Sequence, residues 1–93
     1  MEFLLHISFR PLLALSETKQ AQVVQAEREA ADRLRKAGRL VRLWRVPCRP
    51  ENMGIWSAAD ATDLHDMIST LPAFPFFDEI KVTPLAEHPV ESR

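Results

Sequence analysis

Residues 39–57 read RLVRLWRVPCRPENMGIWS. Two runs rich in aliphatic and aromatic residues, 39 to 46 and 52 to 57, flank Pro47-Cys48-Arg49-Pro50-Glu51. Proline has no N–H to give to a sheet ladder, so two of them in five residues end one strand and force a turn before the next. The stretch is predicted to be a β-hairpin. What lies on either side of it decides the fold.

Upstream, Gly38 reads as a helix stop and Ser16 as an N-cap, with Glu17 in the first turn, where an acid suits the helix dipole. Between them Val23, Ala26, Ala30, Leu34 and Ala37 form an apolar stripe at helical spacing. Before that helix, residues 3 to 9 alternate: Phe3, Leu5, Ile7 and Phe9 on one face, Leu4, His6, Ser8 and Arg10 on the other. That is the period of a strand with one apolar face, and Pro11 ends it. Downstream, Asp60 can cap a second helix to about Leu71, with Ala61, Leu64, Ile68 and Leu71 inward. Residues 71 to 77, LPAFPFF, are too rich in proline for a helix and too apolar for a solvated loop. Residues 79 to 85 supply a fourth strand, and 86 to 93 read as an irregular polar tail. The order β-α-β-β-α-β predicts an α+β, ferredoxin-like domain: a four-stranded antiparallel sheet with two helices on one face. The other face then needs a cover, and a second subunit is the natural one.

Bulk properties agree. Ninety-three residues suit one domain spanning 1–93 with a thin core of its own. The formal net charge is −1, so no basic field draws nucleic acid or anionic lipid, and neither is expected as a partner. No run approaches the length of a membrane span, and the amino-terminal MEFLLH lacks the pattern of a signal peptide. A lone cysteine, Cys48, suits a reducing compartment. A cytoplasmic protein is the expectation. With two glycines there is no phosphate-binding glycine loop, and no Cys/His or carboxylate cluster predicts a metal.

Glu27 carries the most information. With Val23 at zero and about 100° per residue, Ala30 falls near 340°, Leu34 near 20° and Glu27 near 40°. A carboxylate on a core-facing stripe is costly unless it is paired or lines a pocket. In a pocket its pKa would rise, as a general base working near neutral pH requires. The alternative is a glutamate that reaches water at the stripe edge or pairs with an arginine. Arg42 shares a strand face with Trp44, and Arg45 shares one with Val41 and Leu43. Either arginine could hold an anion, or both could be edge-strand charges that oppose aggregation. His6 on the polar face of the first strand, Asn52 after the turn, and the aromatics Trp44 and Phe74 are further candidates for lining a site, each with an ordinary structural reading beside it.

Several segments together resemble the muconolactone Δ-isomerase family: Ala26-Glu27-Arg28-Glu29, Leu43-Trp44-Arg45, Asn52 three residues before Ile55-Trp56, Leu64-His65, Leu71-Pro72-Ala73-Phe74-Pro75, and Pro84-Leu85-Ala86-Glu87-His88-Pro89. They run in family order along nearly the whole chain. Cys48 stands where the family's turn has glycine, and the segment from Phe9 to Leu15 is shorter than usual. The resemblance implies a ferredoxin-like subunit paired across its sheet into a dimeric α+β barrel and assembled into a decamer. It implies an intramolecular isomerase without a cofactor, acting on a small lactone acid by turning muconolactone into 3-oxoadipate enol-lactone in aromatic catabolism. By the same resemblance Glu27 is the base, Arg45 (or Arg42) holds the substrate carboxylate, Asn52 and His6 bind lactone oxygens, and Trp44 and Phe74 form apolar walls. Two alternatives stay open: a relative repurposed for another lactone or enolisable carbonyl compound, and a non-catalytic oligomeric binding protein.

Overall fold

The computed structural model describes residues 1–91. Its elements are β1 (Glu2–Ser8), α1 (Glu17–Lys36), β2 (Leu40–Arg45), β3 (Glu51–Ser57), α2 (Ala61–Ser69) and β4 (Glu79–Leu85), with 3-10 turns at Arg10–Ala14 and Phe74–Phe76. The strands form one antiparallel sheet in the order β2-β3-β1-β4. This is the ferredoxin-like α+β arrangement, with both helices on one face.

The local signals act as their chemistry dictates. Ser16 caps α1 by accepting the Lys19 N–H, and Asp60 caps α2 by accepting the Asp63 N–H. Each such bond satisfies a donor that the first helical turn leaves orphaned, worth about 1 kcal/mol. Gly38 follows α1 at φ +75°, a left-handed backbone that glycine adopts without a Cβ clash. Phe3, Leu5 and Ile7 of β1 point under the helices and are joined there by Ala30, Leu40, Trp56, Leu64, Met67, Ile68 and Leu71. Burying each large member contributes about 1.5–3 kcal/mol. Arg39 ties the start of β2 to α2 by meeting Asp63 at 3.0 Å.

Four details differ from the expectation. α2 stops at Ser69 rather than near Leu71, because Leu71 precedes Pro72 and a residue before proline is pushed out of the helical region. Ser69 and Thr70 also return their hydroxyls to helix carbonyls. β1 ends at Ser8, ahead of Pro11, which lies in the first positions of a 3-10 turn, and the apolar segment 71–77 likewise contains one, with Pro75 in its first turn. In such a position the missing N–H costs nothing. Third, a register shift between Leu40 and Arg42 bulges Val41 out of β2. Arg45 therefore shares its face with Leu43 and Leu40 and not with Val41. Finally, Phe9 leaves the strand, although its N–H still meets the Pro50 carbonyl at 2.9 Å. Of the polar tail, residues 86–91 carry no strand or helix, whereas 92 and 93 lie outside the described residues. Among the described residues no helix is long and apolar enough to cross a membrane.

Candidate active site

α1 crosses the sheet so that one flank of its stripe meets the core and the neighbouring flank looks into a pocket. That pocket, about 210 Å³, lies between α1, the β2–β3 end of the sheet and the two 3-10 turns. Val23, Val24, Glu27 and Ala31 line it from the helix, Leu43 and Asn52 from the strands, and Leu12, Ala73 and Phe77 from the connections. The walls are almost wholly apolar, and Glu27 is the only carboxylate among them.

Glu27 is half-buried, and its Oε1 accepts the Ala73 N–H at 3.1 Å. Loss of hydration pushes its pKa above the ordinary glutamate value, and the Ala73 hydrogen bond opposes that rise in part. No ion pair among the described residues includes it: these join His6 to Glu51, Lys36 to Asp32, Arg39 to Asp63 and Arg49 to Glu51. The reading of Glu27 as the partner of an arginine therefore fails. A half-dry carboxylate with a raised pKa and one fixed oxygen can accept a proton from a bound molecule and return it.

The other candidates divide by sheet face. Asn52 lies opposite Ile7 on the helix side and lines the pocket. Arg45 is in register with Asn52 and so is on the same face, exposed at the pocket's flank rather than in its lining. Arg42 and Trp44 are on the opposite, open face, with the guanidinium 5.0 Å from the ring centre. His6 is on the open face too, its Nε2 2.7 Å from Glu51 Oε1. Within one chain, then, His6 and Trp44 do not meet Glu27. Phe74 does not line the pocket either. It packs against the core and meets Phe77 edge-to-face at 6.1 Å, and Phe77 is the ring that forms the wall.

Sequence reasoning missed Phe9, Leu12, Ala73 and Arg28 as pocket residues, whereas Phe77 was one of the aromatics of 71–77 that could wall a pocket. Arg28 falls near 140° on the wheel, off the apolar stripe, yet it is the one cation of the lining. Residues at that angle look polar because they sit at a rim. Leu12 and Ala73 gave no signal, since they come from connections without a period. Among the described residues no group of three or more His, Cys, Asp or Glu could hold a metal ion.

Fold and site together define a ferredoxin-like α+β protein with a lone helix-borne carboxylate in an apolar pocket. The family model described as muconolactone delta-isomerase matches residues 1–91, and the chain belongs to that family. It is 37% identical over 75 residues to the muconolactone Delta-isomerase of Cupriavidus pinatubonensis, covering 80% of each chain. It is 34% identical to that of Pseudomonas aeruginosa, over 78% of this chain and 76% of the relative. A crystal structure of muconolactone isomerase superposes with a TM-score of 0.88 at 28% identity, over all of this chain and 96% of the other.

Proposed function

We propose that the protein is an intramolecular isomerase that moves a proton within a small unsaturated lactone acid, converting muconolactone into 3-oxoadipate enol-lactone. The observation that carries this reading is Glu27: an unpaired, half-buried carboxylate in an apolar pocket with its pKa raised by burial. Family membership supplies the substrate class.

The Glu27 carboxylate takes the proton from the ring carbon that bears the side arm. The electrons of that C–H bond move through the ring double bond onto the lactone carbonyl, giving a dienolate. Glu27, now a carboxylic acid, returns the proton to the carbon beside the carbonyl, two positions away. The proton count closes on Glu27 alone, so the chemistry requires no cofactor. Ala73 holds Oε1 through its N–H and leaves Oε2 as the oxygen for transfer. Asn52 binds a lactone oxygen. Cations at the pocket rim hold the side-arm carboxylate: Arg45 opposite Asn52, and Arg28 in the lining. Phe77 forms the wall that Phe74 braces.

His6 and Trp44 can reach such a site only if a second subunit brings its open face there. We assign that face to subunit contact, in a dimer and by family resemblance a decamer. Trp44 is 44% exposed and Met53 and Ile55 flank it on the open face, a costly surface to leave in water. The lone, exposed Cys48 fits a reducing cytoplasm.

The test is the purified protein with muconolactone, followed by absorbance of the enol-lactone beside Glu27→Gln. Turnover by the wild type alone is expected. No turnover by a folded wild-type oligomer would reject muconolactone as the substrate, and equal turnover by both would remove Glu27 as the base.

A further inference from the structure

Trp56 is 4% exposed, yet its indole N–H has no hydrogen-bond partner, the one such buried side-chain nitrogen or oxygen among the described residues. A buried donor forfeits its hydration with no return, so natural proteins rarely leave one without a reason. Its position suggests one. Asn52, Gly54 and Trp56 alternate on the helix-side face of β3, and Asn52 already lines the pocket. The indole lies back along this row: its Nε1 is 3.0 Å from where a Cβ on Gly54 would stand. Leu43, which lines the pocket and pairs with Gly54 in register, brings its Cδ1 to 3.0 Å from the same point.

Gly54 is not needed for its backbone, since Gly38 is the only glycine with positive φ. It is needed for space. Any side chain there would crowd the indole N–H and Leu43, whose nearest atoms already stand 3.0 Å from its Cβ position. Leu43 sits on the edge strand and is partly exposed.

We propose that Trp56 is a substrate-binding residue: Leu43 swings aside, and the Trp56 indole N–H donates to the lactone carbonyl oxygen together with Asn52. This rests on the lactone-isomerase reading of the pocket. That oxygen gains charge as Glu27 removes the proton, and a fixed donor in a dry site stabilises the dienolate more than the neutral lactone. The glycine at 54 then serves the tryptophan at 56, because the missing side chain lets the indole N–H lie close behind Leu43.

The experiment uses Glu27→Gln, expected to bind without turnover, labelled with 15N at its indoles. Trp56 is assigned as the indole signal missing from Trp56→Phe. On saturation with muconolactone, the Trp56 Nε1–H proton is expected to move downfield. Trp56→Phe, which keeps the ring and loses the donor, is expected to lose roughly tenfold in kcat/KM, carried mainly by kcat. Bound muconolactone with an unmoved Trp56 signal, or wild-type kinetics in Trp56→Phe, would overturn the role of Trp56 and leave the isomerase reading standing. No binding by Glu27→Gln and no turnover by the wild type would instead overturn the substrate reading, and this proposal with it.

Discussion

Glu27 and Glu51 are the same chemical group in opposite surroundings. Glu51, on the open face, is held between His6 at 2.7 Å and Arg49 at 3.0 Å. The His6 hydrogen bond first, and the Arg49 charge after it, keep its pKa below the usual value, against the pull of desolvation. Glu27, on the helix side, has one backbone N–H and apolar walls, and burial keeps its pKa above the usual value. Partners make a carboxylate a good anchor and a poor base. Freedom from ion pairs does the reverse, and Glu27 is in none of those among the described residues, although Arg28 lines the same pocket.

The largest effect that could break this contrast is on turnover. Glu27→Gln should lower kcat by about 10²–10⁴-fold, the usual contribution of a general base. Glu51→Gln should stay within a few-fold of wild type in the same assay. A large loss in Glu51→Gln would mean that the open face takes part in the chemistry. Next is substrate hold: Arg28→Met and Arg45→Met should each raise KM by roughly 10–100-fold, the range for a hydrogen bond to a charged group. Arg42→Met, on the far side of the sheet, should leave KM unchanged, and saturation kinetics on the three variants would decide.

The pH dependence sharpens the comparison. Because the Glu27 pKa is raised, the acid limb of kcat/KM should turn at a pH above that of a free glutamate. Its effect on stability has the opposite sign to that of Glu51. Between the unfolded and folded pKa values of Glu27 the native state binds the extra proton, so rising pH removes stability there. Glu51, Asp63 and Asp78 have lowered pKa values, so they add stability above the unfolded carboxylate range and lose it as pH falls through their folded values. Urea titrations of wild type, Glu27→Gln and Glu51→Gln across pH 3 to 8 would show the two slopes, and parallel curves would refute the contrast. The smallest effect concerns the turn. Cys48 adopts φ +64°, a left-handed backbone that costs a residue with a Cβ about 1–2 kcal/mol. Against the extra chain entropy of glycine, Cys48→Gly should stabilise the protein by about 0.5–1 kcal/mol in chemical denaturation.

The fold was legible wherever a signal was local. Ser16, Asp60 and Gly38 mark helix ends by their own chemistry, and β4 runs over residues 79 to 85 as expected. Glu27 was legible too, because a period exposes a charge that sits on the wrong side. Position within a face was also readable, as the Arg42–Trp44 stack confirms. Which face lies under the helices was not, since β2 carries apolar residues on both. The bulge at Val41 depends on pairing with β3, and nothing in β2 alone announces it. The choice of Phe77 over Phe74 as pocket wall is made by the 3-10 turn between them, in a segment with no period to read.

The bond from Ala73 to Glu27 spans 46 residues and joins the first strand–helix–strand half to the second. The carboxylate belongs to one half, and the group that aims it belongs to the other. If this fold arose by duplication of such a half, the ancestral unit could carry the acid but could not orient it. Proton-transfer activity of this kind would then have begun only after the two copies were fused, and splitting the chain in the 47–51 turn should return it to that silent state.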